Sequence, residues 1–574
     1  MHTTVRRTLI TLVFALGAVG LTACTDVGVN PKSDTTANNL FESEDAYKSF
    51  FAKLYAGLAV TGQTEGGGGA GSGDPDITVP SNIGFGQYTR LLWNMQELPT
   101  ESSVTRFQDQ GIRDLNNLTW SSQNQFSVGM YNRVFFQVAQ VNEFLRQSTD
   151  GQLDNRGIDP QAQERIQTWR AEARFLRALS LWHGLDFFRD IPVPTTDVAL
   201  GESPSQKTPD EVFTFIESEL LEILDDQGDE TLLPAGQAPY GRADAGAAWM
   251  LLAKLYQNAP VYLDNPQSVI GANPQDKVIE YTTKIIDQGP YSLETSGSGT
   301  FSAYQHLFLA DNHTADGIIF AVPQDGNSQR TYGGTQYLTH ANLGVGSAGT
   351  GFWSGDPTDL VGVDAGYGGM RTTSDGVALF EADNGSLNDD RAIFYTQDQD
   401  RVIGGSNLQC ASGTDPISCF QEGWVVPKFK NLTASGATGK NLTFPDTDFP
   451  MFRLADAYLM YAEAVTRGGS GGSQSRAVTL VNDVRQRAGV PTINSSELTL
   501  DFLLRERGRE LFWEAQRRTD LIRFGEFVDG NWRWKGGTPD GVGSNVEDCR
   551  VVYPIAASEL RANSNLEQNR DCYN

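Results

Sequence analysis

Five segments of this chain repeat apolar residues at the three- to four-residue spacing of an amphipathic helix, and this pattern constrains the fold most strongly. It predicts helices over residues 161–188, 242–257, 451–466, 474–488 and 500–518. Several of the apolar stripes mix alanine with Tyr, Leu and Trp, so that neighbouring helices can approach closely while the large side chains fill the gaps. The pattern favours degenerate tetratricopeptide-like helix pairs, and an ordinary irregular helical domain is the alternative.

Two regions break the helical pattern. Residues 62–82 are rich in Gly, Asp and Pro and are predicted to form a loop, and residues 289–450 are rich in Gly, Asp, Thr and aromatic residues, with one strand candidate at 317–322. Long ordered loops usually carry function. We therefore predict a mainly α fold over residues 40–574. Its tetratricopeptide-like helices, at about 40–288 and 451–524, would pack against an irregular loop-rich lobe with a few short strands, the ligand-binding insertion of about 289–450.

The first residues are typical of an export signal. A basic head, Arg6-Arg7, precedes an apolar core at residues 9–20, which is shorter than the roughly 20 residues that a membrane span needs. The core ends in Leu21-Thr22-Ala23-Cys24, the pattern of a lipoprotein cleavage site. We predict a signal peptide over residues 1–23, lipidation of Cys24 and a flexible tether over residues 24–39. An ordinary secretory signal followed by an incidental cysteine is the alternative.

The other four cysteines fall into two sequence-local pairs. Outside the cytosol they are expected to form disulfides, and the shortest loops join Cys410 to Cys419 and Cys549 to Cys572. Two pairs of free thiols are the alternative. Neither pair has the spacing of a zinc site.

The formal net charge of -27 excludes the usual nucleic-acid-binding surfaces, which need clustered Lys and Arg. It also disfavours anionic ligands unless a local basic pocket exists. The acidic residues Asp383, Asp389 and Asp390 lack the spacing of a calcium-binding EF-hand loop. We therefore predict no metal and no cofactor.

Catalytic signatures are weak. Residues 468–472 match G-x-S-x-G but lie in a Gly/Ser linker between two predicted helices, and residues 344–349 match G-x-G-x-x-G without a strand before them or a helix after them. None of the four histidines beyond the leader belongs to an H-E-x-x-H motif. A glycosidase needs only two suitably spaced carboxylates, so that a surface hydrolase stays an alternative.

Four stretches together resemble the SusD/RagB family of surface nutrient-binding lipoproteins in their order and rough spacing. They are Arg170–Ala178 with Asp186–Pro192, Arg453–Ala464 with Val481–Gly489, Arg505–Leu511 with Arg517–Arg523, and Tyr553–Ile555 with Glu559, Leu560 and Asn565–Asn569. The C-terminus departs from the family, which often ends in an Asn-Pro-Gly-Tyr-like run, because Cys572 stands in that turn here. The charged pairs among Arg505, Glu506, Arg509 and Glu510 are expected to be structural, each contributing only tenths of a kcal/mol if exposed.

The resemblance implies a binding protein and not an enzyme. Family members lie at the cell surface, anchored by lipid in the outer membrane, and work with a SusC-like TonB-dependent transporter that imports the captured glycan. Peptide capture, as in RagB-like relatives, is the principal alternative. A purely structural scaffold without any ligand is a further one.

Ligand contacts are expected from two aromatic and polar stretches, because aromatic rings cover the C–H faces of sugars while polar groups bind the hydroxyls. By match to the family segment, Arg106, Trp120 and Asn124 are expected to contact the glycan, although Trp120 can equally be a core residue. In the insertion, glycine-rich flanks make exposed rings plausible, and the candidates there are Tyr332, Gln336, Tyr337, Phe352 and Trp353. Packing within the loop is the alternative for this second set.

Overall fold

The structure is a computed structural model and describes residues 40–62, 75–78, 83–105, 107, 109–199, 201–343, 357–381, 388–394, 424–532, 535–537 and 542–573. Several residues with predicted roles lie outside these ranges, namely Cys24, Arg106, Phe352, Trp353, Cys410 and Cys419. The signal peptide and the tether lie outside them as well, so that these assignments stay predictions.

Helices dominate the described residues, which confirms the prediction of a mainly α fold. They are α1 (Glu44–Ala59), α2 (Tyr88–Glu97), α3 (Gln110–Asn117), α4 (Gln125–Gln147), α5 (Asp150–Asn155), α6 (Pro160–Phe188), α7 (Pro209–Glu222), α8 (Ala245–Gln257), α9 (Ala259–Tyr262), α10 (Pro266–Ile270), α11 (Pro274–Gln288), α12 (Ala303–His306), α13 (Gly334–His340), α14 (Pro357–Val361), α15 (Ser374–Glu381), α16 (Leu454–Thr466), α17 (Gln474–Arg487), α18 (Leu500–Glu510), α19 (Arg517–Phe524) and α20 (Ala557–Ala562). Among the described residues, no helix is both long and apolar enough to cross a membrane.

The long helices pack as a row of neighbours. Helix α4 packs on α6, α6 on α7, α7 on α8, α8 on α11, α11 on α16, and α16 on both α17 and α18. Alanines on these helices, such as Ala248 on α8 and Ala462 on α16, are fully buried and let the helix axes come close. This arrangement agrees with the predicted tetratricopeptide-like helix pairs.

Strands are short and all antiparallel. They are β1 (Val104–Thr105), β2 (Ile191–Pro192), β3 (Gln206–Lys207), β4 (Ile318–Val322), β5 (Met370–Arg371) and β6 (Phe449–Arg453), and they pair as β1 with β5, β2 with β3, and β4 with β6. Strand β4 confirms the predicted strand at 317–322. Because β6 occupies Met451–Arg453, helix α16 begins at Leu454, three residues later than predicted. Strand β6 leads directly into α16.

Side-chain caps fix where several helices begin. The Asp159 carboxylate accepts hydrogen bonds from two backbone amides in the first turn of α6, and Pro160 takes the first position, where no amide is needed. Thr208 and Glu211 form a reciprocal capping box at the start of α7. Asp244 caps α8, which therefore begins at Ala245 and not at residue 242 as predicted.

The predicted helix over residues 500–518 is wrong in its second half. Helix α18 ends at Glu510, and the chain turns sharply before α19, with positive φ angles of 63° at Trp513 and 60° at Ala515. The turn buries the Trp513 ring edge-on against Trp93, with 5.0 Å between ring centroids, and its Nε1 donates to the Ser102 carbonyl at 2.7 Å. This tertiary packing overrides the local helical pattern.

The charged residues of α18 are buried in ion pairs and are not exposed surface pairs, with the exception of Asp501 and Arg505, which pair with each other. Glu506 accepts hydrogen bonds from Arg391, Arg485 and Arg509 at 2.6–2.8 Å. Burial alone would raise the pKa of Glu506, but these guanidinium groups lower it below its usual value. The estimate of tenths of a kcal/mol therefore does not apply, because removing one partner would leave a buried charge uncompensated.

The C-terminal disulfide joins Cys549 to Cys572, which confirms the second predicted cysteine pair. It holds the last residues against the body of the protein. There, the Tyr573 hydroxyl donates to the Val552 carbonyl at 2.8 Å and accepts a hydrogen bond from Trp120. The pair therefore fixes the turn at which the sequence departs from the family pattern.

Candidate ligand-binding site

Trp120 lies in the core and offers no face to a ligand. Its side chain is 1% exposed, its ring packs 4.5 Å from that of Tyr553, and its Nε1 donates to the Tyr573 hydroxyl at 2.9 Å. The Arg550 guanidinium covers it further, 5.5 Å from the ring centroid. Trp120 is thus a core residue, which was the alternative that the sequence left open. The expectation that it stacks on a glycan is corrected accordingly.

Asn124 is buried and caps a helix. Its Oδ1 accepts hydrogen bonds from the backbone amides of Phe126 and Ser127 at 3.1 and 3.2 Å, and its Nδ2 donates to the Gly111 carbonyl at 2.9 Å. These bonds occupy both ends of the amide. Asn124 therefore positions α4, and its expected ligand contact is corrected.

Tyr337 is also a core residue. Its ring is fully buried against Trp93, and its hydroxyl donates to Asn94 Oδ1 at 3.0 Å. Arg90 lies over the same ring, 4.0 Å from the centroid, and over Phe85 at 4.2 Å. Tyr337 thus supports the residues above it and does not itself reach the surface.

Tyr332 and Gln336 lie just before and within helix α13. Tyr332 is half-buried, its ring meets Phe444 edge-on at 5.2 Å, and its carbonyl accepts a hydrogen bond from Arg90 Nη1 at 3.2 Å. Gln336 is buried, and its Nε2 donates to the hydroxyl of Tyr367. These two residues thus border an exposed ring that the sequence analysis did not single out.

That ring belongs to the segment Gly366-Tyr367-Gly368-Gly369, which docks on the C-terminal end of α13. The amides of Tyr367, Gly368 and Gly369 donate to the carbonyls of His340, Leu343 and Ala341 at 2.6–2.8 Å, and so satisfy groups that a helix end leaves unpaired. A Cβ at Gly366 would collide with the Leu343 carbonyl, and Gly368 has a φ of 60°. The glycines allow this close approach and leave Tyr367 projecting, 42% exposed.

We call the surface formed by Tyr332, Asp364 and Tyr367, with the buried side chains of Gln336 and His340 beneath it, the Tyr367 face. The His340 imidazole stacks beneath the Tyr367 ring, with centroids 5.3 Å apart and planes at 29°. Burial lowers the pKa of His340 to about 4, so that the imidazole is neutral at neutral pH. Burial raises the pKa of Tyr367, which keeps the phenol protonated.

The Tyr367 face combines an exposed ring with hydrogen-bonding groups. The Asp364 carboxylate is exposed beside the ring, and its Oδ1 lies 3.7 Å from His340 Nε2. Among the described residues, Gln336 Oε1 and His340 Nε2 have no hydrogen-bond partner. A ring for apolar C–H groups beside carboxylate and hydroxyl oxygens is the combination that sugars require.

A metal site needs several ligating side chains close together. Within the residues that the structure describes, no group of three or more His, Cys, Asp or Glu side chains is arranged to hold a metal ion.

The signal that could have identified Tyr367 is its place between glycines, where the chain has no neighbouring side chain to cover the ring. Phe352 and Trp353, which lie outside the described residues, belong to the stretch between α13 and this segment.

Comparisons with known proteins agree on one family. Residues 375–573 match the family model described as the SusD family. The starch-binding protein SusD of Bacteroides thetaiotaomicron is 32% identical, over 96% of this chain and 96% of that protein.

Solved structures share the fold over almost the whole chain. Surface glycan-binding protein A of Bacteroides thetaiotaomicron, in complex with laminarihexaose, superposes with a TM-score of 0.64 at 17% identity, covering 92% of this chain and 99% of that one. A SusD superfamily protein of Parabacteroides distasonis gives a TM-score of 0.64 at 20% identity, with coverage of 92% and 99%. At these identities the likeness concerns the fold alone.

Proposed function

This chain belongs to the SusD family, and from that premise we propose that it captures a glycan at the cell surface and delivers it to a SusC-like TonB-dependent outer-membrane transporter. The relative with 32% identity over nearly the full length is a starch-binding protein, which supports a glycan as the ligand. In this proposal Cys24 carries the lipid that anchors the protein in the outer membrane. The protein binds its ligand without transforming it.

The exposed ring of Tyr367 is the observation that carries the proposal at the level of the site. A sugar stacked on this ring would bury apolar C–H groups against it, and about 25 cal/mol per Å2 of buried apolar surface amounts to roughly 1–2 kcal/mol. The exposed carboxylate of Asp364 would accept hydrogen bonds from hydroxyl groups at the edge of the ring. Because one ring binds weakly, further contacts are needed, and we propose that Arg106, Phe352 and Trp353 supply them.

Isothermal titration of the soluble chain from about residue 25 onward tests this function. The panel contains neutral polysaccharides, acidic polysaccharides and a peptide digest. We expect binding to a glycan and a roughly tenfold loss of affinity in Tyr367→Ala, since about 1.4 kcal/mol corresponds to a factor of ten. Tyr367→Phe keeps the ring and should retain most of the affinity.

Two control variants sharpen the test. Trp120→Phe changes a core ring and should leave glycan affinity unchanged, as should Leu221→Ala, which removes an exposed apolar side chain on α7. If the peptide digest binds and none of the glycans does, the ligand is a peptide and the glycan proposal is wrong. Turnover of a bound oligosaccharide would contradict the binding-only function.

A further inference from the structure

A second concave site lies beside the loop that follows β4. Its cavity has a volume of about 460 Å3, large enough for a sugar unit, and it is lined by both polar and aromatic side chains. Tyr240 stands in its wall with 46% of the residue exposed, the most exposed aromatic residue among those that the structure describes. The His313 ring meets Tyr240 edge-on at 6.1 Å and holds it in place.

Carboxylates in the cavity are fixed by backbone amides. Asp446 accepts hydrogen bonds from the amides of Gly326 and Lys440 at 2.8 and 2.6 Å, and Asp448 accepts one from the amide of Gln324 at 2.7 Å. Each carboxylate oxygen can accept more than one hydrogen bond. These groups are therefore held rigidly while keeping acceptor capacity for hydroxyl donors.

Two glutamines in the cavity wall point to a polar ligand as well. Gln324 is 8% exposed, and its Nε2 has no hydrogen-bond partner among the described residues. The Oε1 of Gln329 likewise lacks a partner in the described part of the chain. One glutamine thus offers a spare donor and the other a spare acceptor, and buried polar groups are usually satisfied.

The segment of residues 440–446 separates this cavity from the Tyr367 face and contacts both. On the cavity side, Lys440 forms an ion pair with Asp325. On the other side, the Thr443 hydroxyl donates to Asp364 Oδ2 at 2.6 Å, and the Phe444 ring meets Tyr332 at 5.2 Å. Residues 440–446 therefore connect the two sites through direct contacts with each.

We infer that the Tyr240 cavity is a second saccharide subsite, which binds a neutral sugar unit of the same glycan that the Tyr367 face holds. This inference rests on the proposed function. The Tyr240 ring covers the apolar face of the sugar, and Asp446, Asp448 and the glutamine amides bind its hydroxyls. A glycan that spans both sites is held more tightly than one that reaches only one of them, because the second contact is intramolecular.

Charge selects a neutral unit over an acidic one. The cavity is lined by the carboxylates of Asp311, Asp325, Asp446 and Asp448 against the single ammonium of Lys440, which is already paired with Asp325. A uronate or sulfate would meet like charges in this wall and lose hydration without gaining a cation. The chain as a whole, with its net charge of -27, adds to this repulsion.

Titration with oligosaccharides of two lengths tests the subsite on the soluble full chain. The probes are disaccharides and hexasaccharides of four neutral series (malto-, laminari-, manno- and xylo-oligosaccharides) and oligogalacturonate hexamer. We expect Tyr240→Ala to lower the affinity for the hexasaccharide about tenfold and to leave the affinity for the disaccharide unchanged. Tyr367→Ala should lower the affinity for both. His313→Ala should act as Tyr240→Ala does, since it removes the ring that supports Tyr240, and Leu221→Ala serves as the control.

Hydrogen exchange gives a second readout that does not depend on a variant folding well. A neutral hexasaccharide should protect residues 323–330 and 433–440, and a disaccharide should not. The subsite would be overturned, and the proposed function left intact, by three results together. The hexasaccharide would bind no more tightly than the disaccharide, it would give no such protection, and Tyr240→Ala would not change its affinity. Absence of binding to every neutral series would overturn the subsite for a neutral sugar, and it would overturn the proposed function as well if the acidic polysaccharides also fail to bind. Tyr240-dependent binding of the galacturonate hexamer would overturn the selection of neutral sugars.

Discussion

Lys535 is a fully buried lysine, and it gives a direct test of how its segment packs against residues 98–116. Its ammonium group donates to the carbonyls of Leu98 and Ser103, the latter at 2.6 Å, and to Asn116 Oδ1 at 3.2 Å. All three acceptors are neutral. Burial lowers the pKa of Lys535 to about 7, against a usual value of 10.5, although the nearby carboxylate of Glu101 acts in the opposite direction.

The sign and size of the stability effect follow from this pKa. Between about pH 7 and pH 10.5 the unfolded chain binds a proton at Lys535 and the folded protein does not, so that stability rises with pH through this window. Each pH unit inside the window is worth about 1.4 kcal/mol. Raising the pH from about 7.5 to about 9 should therefore increase the free energy of unfolding by about 2 kcal/mol through Lys535 alone.

Urea unfolding of the wild type and of Lys535→Met at the two pH values isolates this effect. Burial also lowers the pKa values of Lys428 and Lys430 to about 8, but their contributions are common to both proteins and cancel in the difference. The gain on raising the pH should be about 2 kcal/mol smaller in Lys535→Met. Lys48→Met, which changes an exposed lysine, should respond to pH as the wild type does. Equal pH responses of the wild type and Lys535→Met would refute the reasoning.

Urea unfolding also tests a core ring, a buried ion pair and the disulfide. Trp120→Ala should lose about 3–5 kcal/mol of stability and Trp120→Phe only about 1 kcal/mol, for the lost indole hydrogen bond, and a change in glycan affinity in Trp120→Phe would contradict the core assignment. Arg391→Met should lose about 3–5 kcal/mol, because the buried carboxylate of Asp389 loses its guanidinium partner and Glu506 loses one of three, and a loss below about 1 kcal/mol would show that the Asp389 charge finds another partner. Cys572→Ser should lose about 3 kcal/mol by opening a loop with a sequence separation of 23, and the Cys549→Ser, Cys572→Ser double variant should lose no more than that single one.

The helical part of the fold could be predicted from the sequence, because there local pattern and tertiary packing agree. Helices α6 and α17 follow the predicted ranges closely, since their apolar stripes face neighbouring helices and caps such as Asp159 set their starts. The prediction failed where a distant partner decides the backbone. The turn at Trp513 exists because Trp93 and Ser102, some 400 positions earlier in the chain, accept its side chain.

The buried ion pairs escaped prediction for a related reason. Charged residues at helical spacing on α18 look the same in sequence whether water or guanidinium groups surround them. The partners of Glu506 come from α17 and from Arg391 as well as from α18 itself, and only the tertiary arrangement brings them together. The family resemblance of these segments therefore concerns an interior framework, which fixes the fold and carries no information about the ligand.

Ligand contacts were the least predictable part, because an aromatic residue has the same apolar character in a core as on a binding surface. Trp120 and Tyr337 are covered by neighbours that the sequence does not reveal, whereas Tyr367 stays exposed because the adjoining glycines have no side chains to cover it. The same glycines bring its backbone onto the end of α13, which fixes the ring although it lies in a loop. A ring held rigidly in an exposed position loses little conformational entropy when a ligand stacks on it, so that burial of its surface contributes almost fully to affinity. For this protein, aromatic residues between glycines at a helix end are thus better candidates for ligand contact than aromatic residues beside a helix start, where Trp120 is found.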